Sequence, residues 1–421
     1  MNSMSSTYID KKVNTRFFDY AFILFGIFYA FKESQLGYLD LKFVTYPTLL
    51  LSVAFSFLSI LHNYKWNRFH TLLFFLLFFI PLYLKIAYTS NVMISTMLIL
   101  SAYNIPFSHI VKMCIKVLIL VFAIVLSAVA LGIIEDRLYD RDVDLFEDGT
   151  AHDIGFRYYS YYSYLGMGFV QCCLYLWRNQ LTFKKIFFLI LFSSIVFILS
   201  STRLQLYACV AFIIAIFILP YIPKKILHNK LLAAVAVISY PLICILLYYV
   251  SKYFILSIYY EGYEELNRAM SDRLRLNEEA CLRYDVTLWG NDLDLDTNPT
   301  RKRDYFYIDS GYLHVLLGDG LVFITIILLL YSVLTYKIYK TRAYYLYLWM
   351  IIYAVLNISN GFLVSLLANP ILLLALSDTK IIQDDYYGGK DEQGYGGNDN
   401  VCHESSDVEM IDDNIQVHKM E

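Results

Sequence analysis

Charge is scarce in this sequence. Only 17% of its residues are Asp, Glu, Lys or Arg, against about 25% in a soluble globular domain, and the shortfall excludes a water-facing surface over most of the chain. The cysteines supply no framework either. Cys114, Cys172, Cys173, Cys209, Cys244, Cys281 and Cys402 show no metal-ligand spacing and no paired pattern. They imply no disulfide network, and those inside apolar runs act as small hydrophobes. A phosphate-binding glycine loop, a dinucleotide fingerprint, a nucleophile elbow and a zinc signature are all missing. There is no internal repeat, and no cleavable signal is expected, because the first apolar run leads straight into others.

What is abundant is hydrophobic. Such residues make up 58% of the 421, with 39 Tyr and 30 Phe, and amphipathic rings favour the bilayer interface. About 20 apolar residues cross roughly 30 Å of hydrocarbon as a helix. That ruler predicts about twelve spans, near 15–31, 43–61, 69–88, 91–106, 112–134, 158–177, 185–201, 204–222, 231–257, 311–336, 343–358 and 360–377. The fold expected is therefore an all-α polytopic membrane protein.

The sparse charges are ordered. Five connections (62–70, 105–116, 178–185, 223–230 and 336–342) hold 13 Lys/Arg and no acid, while the alternate connections hold nearly all the acids. Positive loops stay in the cytoplasm, which predicts both termini inside. Residues 378–421 carry 12 Asp/Glu against 3 Lys/Arg, and this Gly-rich tail reads as disordered. The expected organisation is a transmembrane bundle over 1–257, a large outer loop over 258–309, further spans over 310–377 and the acidic cytoplasmic tail over 378–421.

Two outer connections are strongly polar. Residues 135–157 carry eight acids and three arginines; residues 258–309 carry twelve acids and seven Lys/Arg. Within the second, 261–284 has helix-forming composition and an apolar stripe of Leu266, Met270, Leu274, Cys281 and Tyr284. Its other face allows the pairs Glu264–Arg268, Arg268–Asp272, Arg275–Glu279 and Glu279–Arg283, about 0.2–0.5 kcal/mol each. Arg273 falls on the stripe, with Ala269 and Asn277 four residues away on either side, so no local acid neutralises it. Such a guanidinium either takes an anion such as phosphate, pairs with a distant acid, or snorkels to water.

Other residues invite a similar choice. Arg203, in "SSTRLQLY", occupies a short connection between two spans and either binds an anion or snorkels. Arg157 heads "RYYSYYSYLGMG", where Tyr158, Tyr159, Tyr161, Tyr162 and Tyr164 either form an aromatic belt or stack on sugar rings. "NDLDLDTN" is not an EF-hand, because Thr297 and Arg303 stand where that loop needs Gly and Glu. "YIDSGYLHVLLGDG" brings Asp309, Tyr312, His314 and Asp319 to the mouth of a span. Asp309 or His314 can take a proton from a sugar hydroxyl, although five residues set them about 140° apart on a helix. Asp309 serves equally as a helix cap. Tyr158, Tyr162 and Tyr312 are the candidates for sugar contacts.

Four segments carry a family resemblance: "HDIGFRYYSYYSYLGM", "SSTRLQLYACVAF", "MSDRLRLNEEACLRYDVTLWGND" and "DSGYLHVLLGDGLV". In order and spacing, over about 155–325, they resemble the Wzy-type polymerases of capsule, exopolysaccharide and O-antigen synthesis, and more distantly the O-antigen ligases. The resemblance implies a plasma-membrane glycosyltransferase acting at the outer leaflet. A glycan on undecaprenyl diphosphate is transferred to the sugar of a second lipid-linked repeat, and the lipid diphosphate leaves. Arg157, Arg203 and Arg273 match the family's arginine positions and are implied to bind that diphosphate. No metal or other cofactor is required, because the lipid diphosphate is itself the leaving group. The implied partners are the lipid-linked oligosaccharide, the bilayer, a flippase and a chain-length regulator. Nucleic acid is not among them, since topology already explains the basic loops. The ligases' outer-loop histidine has no counterpart in 259–308, which contains no His, so the base stays open between His314 and Asp309. The alternatives are an O-antigen-type ligase and a flippase or transporter of lipid-linked sugars. Transporters concentrate ionisable groups near the midplane, whereas the spans here hold few, Lys85 and Asp319 being the exceptions.

Overall fold

The computed structural model describes residues 13–39, 41–64, 90–143, 146–227, 229–253, 265, 267, 273–295, 306–361 and 363–377, with the side chains of 90–92, 140–149 and 224 excepted. Its helices follow the apolar runs, because backbone surrounded by hydrocarbon must satisfy its own hydrogen bonds. They are α1 (Arg16–Lys32), α2 (Lys42–Asn63), α3 (Ser90–Ser101), α4 (Phe107–Ala130), α5 (Tyr159–Trp177) and α6 (Phe183–Ser200). The chain continues through α7 (Arg203–Ile218), α8 (Lys230–Tyr253), α9 (Arg273–Arg283), α10 (Gly311–Gly318), α11 (Gly320–Lys340) and α12 (Tyr344–Leu356). Among the described residues six helices are long and apolar enough to cross a bilayer: α2, α4, α6, α7 with its extension to Tyr221, α8 and α11. This is a helical membrane protein.

Burial separates an inside from a lipid-suited surface. Tyr162, Leu165 and Leu174 of α5 and Trp349, Met350 and Tyr353 of α12 are buried. By contrast α6 buries only Leu189, Ser193 and Ser200, and it turns Phe187, Phe188, Ile195 and Ile198 outward. Apolar surface of that extent is tolerated in lipid, not in water.

Most expected spans coincide with helices. The regions 15–31, 43–61, 112–134, 158–177, 185–201, 204–222, 231–257 and 343–358 fall on α1, α2, α4, α5, α6, α7, α8 and α12. The expected span over 91–106 contracts to α3, and the one over 311–336 breaks at Asp319 into α10 and α11. The span expected over 69–88 and the tail over 378–421 lie outside the described residues.

Residues 360–377 overturn their expectation. In place of a spanning helix, their described residues form turns followed by a 3₁₀ turn, Pro370–Ala375. Asn369 and Pro370 are the cause: the Asn369 side chain accepts from the Ile371 N–H, and Pro370 has no amide to donate. Leu363, Leu366, Leu367, Leu372, Leu373 and Leu374 are fully buried, so the segment plugs the bundle. Non-helical backbone at membrane depth needs donors, and tyrosines bring them. Tyr331 Oη donates to the Leu363 carbonyl at 2.7 Å and Tyr353 Oη to that of Ala368 at 2.9 Å. Asn369 Nδ2 donates back to Tyr331 Oη at 3.1 Å. Many of the 39 tyrosines that suggested an interfacial belt instead tie helices together from inside. Tyr240 donates to Met350, Tyr312 to Ala354 and Tyr345 to Gln171.

The expectation of an all-α fold also needs one correction. Within the polar stretch 135–157, β1 (Leu138–Val143) and β2 (Phe146–His152) form an antiparallel hairpin, pairing Leu138 with His152 and Tyr139 with Ala151. Its foot is Asp153, fully buried. That carboxylate accepts from Gln35 Nε2 at 3.0 Å, from the amides of Arg137 and Gly155 at 3.0 Å each, and from Tyr139 Oη at 3.4 Å. Burial raises its pKa in spite of the two amides. Asp136 adds a second stake, accepting from the Ile154 amide and pairing with His152. The hairpin meets the α6–α7 turn, where Ser201 Oγ donates to the Thr150 carbonyl at 3.4 Å.

Candidate active site

The site lies at the hairpin end of the bundle. After α1, Ser34 bridges Phe156 in antiparallel fashion, the Gln35 amide donates to Gly155 at 2.9 Å, and the Arg157 amide donates to Glu33 at 3.1 Å. This short ladder makes Glu33 and Arg157 cross-strand neighbours, whose Cβ atoms are typically about 4.5–5.5 Å apart. Gly155, Phe156 and Arg157 therefore divide the work. Gly155 turns the chain with a φ of +87° in space that Val129 and Ile134 leave no room to share. Phe156 is buried edge-on against Phe122, and Arg157 is presented to the site. Its guanidinium lies 5.1 Å from the Tyr38 ring, and its Nε is buried without a hydrogen-bond partner. Among the described residues no carboxylate pairs with it.

Arg273 approaches from another direction. The pairs Arg275–Glu279 and Glu279–Arg283 form along α9 as expected, whereas Glu264–Arg268 and Arg268–Asp272 lie outside the described residues. The buried face runs through Leu276, Asn277, Ala280 and Cys281, one step around from the expected stripe with its Leu274. Arg273 shares this face at helical spacing. Its Nε lies 3.4 Å from Asp309 Oδ2, with both side chains only 21% exposed. The acid missing locally thus comes from far along the chain.

Two glycine-rich turns hold this part together. Gly290 and Gly320 have φ values of +89° and +90° and face each other so closely that a Cβ on Gly320 would lie 2.3 Å from the Gly290 nitrogen. The Leu321 and Val322 amides donate to Thr287 and Leu288, and the Asn291 amide donates to Leu317. Two of the quoted segments, "LWGND" and "LLGDGLV", consequently dock on each other. Ser310, not Asp309, caps α10 by accepting from the Leu313 amide at 3.4 Å. Asp309 faces Arg273 instead.

Tyrosines connect the two arginines. Tyr161 lies within electrostatic reach of Glu33, Tyr307 and Arg157, and Tyr164 within that of Asp309, Arg273 and Tyr307. Tyr307 is common to both sets, and its ring lies 6.3 Å from that of His314. Tyr29 joins from α1, within electrostatic reach of Glu33 and Tyr307. Arg157, Arg273, Asp309 and His314 thus lie around one cluster of tyrosines.

The remaining expected residues do not join it. Arg203 is half-buried at the start of α7, at the same end of the bundle, yet among the described residues no contact ties it to Arg157 or Arg273. Tyr158 belongs to the hairpin's foot: its hydroxyl donates to Tyr159 at 2.8 Å, and Tyr139 packs 6.0 Å away. Tyr162 is 1% exposed against Phe156. Tyr312 is 0% exposed, and its hydroxyl is engaged by Ala354. Sugar contact through Tyr162 and Tyr312 is withdrawn, because core packing occupies both. Sequence reasoning missed Glu33, Tyr29 and Tyr307. The only local signal was the i, i+4 spacing of Tyr29 and Glu33 at the end of an apolar run.

Comparison of the chain with protein-family models, curated proteins and solved structures finds no match. Among the described residues no group of three His, Cys, Asp or Glu is arranged to hold a metal ion.

Proposed function

We propose that this chain is a Wzy-type polymerase, joining undecaprenyl-diphosphate-linked repeat units at the outer face of the plasma membrane, with both termini in the cytoplasm. The observation that supports the reading most is that Arg157, over the Tyr38 ring, and Arg273, beside Asp309, are distant in sequence yet lie around one cluster of tyrosines. Transfer of a glycan from a lipid diphosphate builds negative charge on the leaving group. Preorganised cations in a low-dielectric setting stabilise that charge strongly, and a guanidinium fork matches phosphate oxygens in pairs. Arg157 serves as the open cation. Arg273 is oriented by Asp309, which fixes its plane and moderates its charge. Arg203 takes a peripheral place, steering the lipid-linked substrate toward the pocket.

The test is reconstitution of the purified full chain in liposomes with lipid-linked repeats. The wild-type chain yields a ladder of lengthened glycans on lipid. Arg157→Ala and Arg273→Ala each lower the rate about 10²–10³-fold, the loss typical of removing one charge-stabilising group. A ladder that persists in both variants refutes the assignment. Transport without new linkages, or transfer only to a different acceptor, replaces the polymerase by a flippase or a ligase.

A further inference from the structure

The geometry points to Glu33 as the general base that takes the proton of the acceptor sugar's hydroxyl, an inference that rests on the polymerase reading. Three acidic or basic groups compete for the task. Asp309 is held 3.4 Å from Arg273, and a carboxylate neutralised by a guanidinium is a weaker proton acceptor. His314 faces Tyr307 from within the α10 turn with its Nδ1 buried, so its reach to a bound sugar is restricted. Glu33 stands differently. It is 8% exposed, and among the described residues neither cation nor hydrogen-bond donor engages its carboxylate.

Its placement is built into the backbone. Glu33 is the residue following α1, its amide tied to the Tyr29 carbonyl at 2.8 Å. Its carbonyl accepts the Arg157 amide at 3.1 Å. The ladder that presents Arg157 therefore presents Glu33 as its neighbour. The Arg157 guanidinium extends over Tyr38, and it and the Glu33 carboxylate both lie within electrostatic reach of Tyr161, with Tyr29 also near Glu33. An acceptor sugar on that tyrosine wall sits beside the carboxylate, and the diphosphate sits beside the arginine.

The step balances without a further reactant. The acceptor hydroxyl gives its proton to the Glu33 carboxylate, and its oxygen forms the new bond to the donor's anomeric carbon. The bond from that carbon to the diphosphate oxygen breaks, its electron pair leaving with undecaprenyl diphosphate. Glu33 then passes its proton to water or to the departing diphosphate.

The experiment compares wild-type chain, Glu33→Gln and Glu33→Asp in liposomes with lipid-linked repeats extracted from native cells, alongside undecaprenyl diphosphate as a binding probe. Loss of a general base lowers rates about 10²–10⁴-fold. The expected result for Glu33→Gln is a loss in that range, with undecaprenyl diphosphate bound as in the wild type and turnover partly restored by added formate. Glu33→Asp retains weak activity with the acid limb of its pH–rate profile displaced. Glu33→Gln polymerising at the wild-type rate overturns the assignment while leaving the polymerase reading intact. So does lost activity accompanied by lost lipid binding and no formate rescue, which marks a structural role. A wild-type chain that binds lipid and forms no linkage overturns both.

Discussion

Replacing Arg273 with Met and Asp309 with Asn, singly and together, tests whether the site's best-defined polar contact is an energetic unit. The charges are 3.4 Å apart and each side chain is 21% exposed. At an effective dielectric of about 20, Coulomb's law gives an attraction of about 5 kcal/mol. Desolvating the two ions offsets much of that, and partial exposure screens part of the rest. A coupling of about 2 kcal/mol is left. Removing Arg273 alone takes its guanidinium from the Asp309 carboxylate, at a cost of about 3 kcal/mol. Asp309→Asn costs about 2 kcal/mol, because the amide keeps a polar contact to the guanidinium and water reaches one edge. The double variant should cost about 3 kcal/mol, well short of the roughly 5 kcal/mol of the singles added together. Thermal melting of the purified chain in lipid–detergent micelles, followed by tryptophan fluorescence, reads the three losses. Additive singles, with coupling below about 0.5 kcal/mol, would refute the pairing and with it the view that Asp309 orients Arg273.

Three other outcomes follow from the fold. Gly290→Ala puts a Cβ 2.0 Å from the Gly318 carbonyl oxygen at a φ of +89°, so it should cost more than about 4 kcal/mol and abolish accumulation in membranes; normal accumulation and melting would show that the two turns do not dock. Tyr353→Phe leaves the buried Ala368 carbonyl without its 2.9 Å donor and should destabilise by about 1–3 kcal/mol, measured by the same melting experiment; no change would mean that the plug does not depend on tyrosine. Burial raises the Asp153 pKa above its ordinary 3.8, so protonation favours the folded hairpin, and this contribution is lost as pH rises through the raised value. Protection of the 138–152 amides, corrected for the intrinsic pH dependence of exchange, should therefore fall across that window in the wild type and stay level in Asp153→Asn, and wild-type protection without slope would contradict the burial of the charge.

Legibility in the sequence followed the range of the forces involved. Helix positions from α4 to α8 were readable because length and hydropathy are local properties, whereas the apolar stripe read for α9 lies one step around from the face that is buried. Residues 360–377 misled because a leucine-rich run fits a plug as well as a span, and only Asn369–Pro370 distinguishes them. The hairpin gave no alternating apolar pattern, since its hold comes from Asp153 reaching Gln35, a contact between distant segments. The site's membership was the least readable part. Glu33 gains its neighbours from an antiparallel ladder with Gly155 and Arg157, and Tyr307 gains Tyr29 and Tyr161 from segments far away in sequence. Arg203 looked equivalent to the other two arginines because its flanking motif was as good, but among the described residues no contact ties it to either of them.

The most direct measurement is undecaprenyl diphosphate affinity of the full chain in nanodiscs, compared across Arg157→Gln, Arg273→Gln and Arg203→Gln. If Arg157 and Arg273 jointly hold the diphosphate, each of the first two weakens binding about tenfold or more, equivalent to at least 1.4 kcal/mol, and Arg203→Gln changes it less than threefold. Equal losses at all three, or none at the converging pair, would contradict a shared two-arginine site.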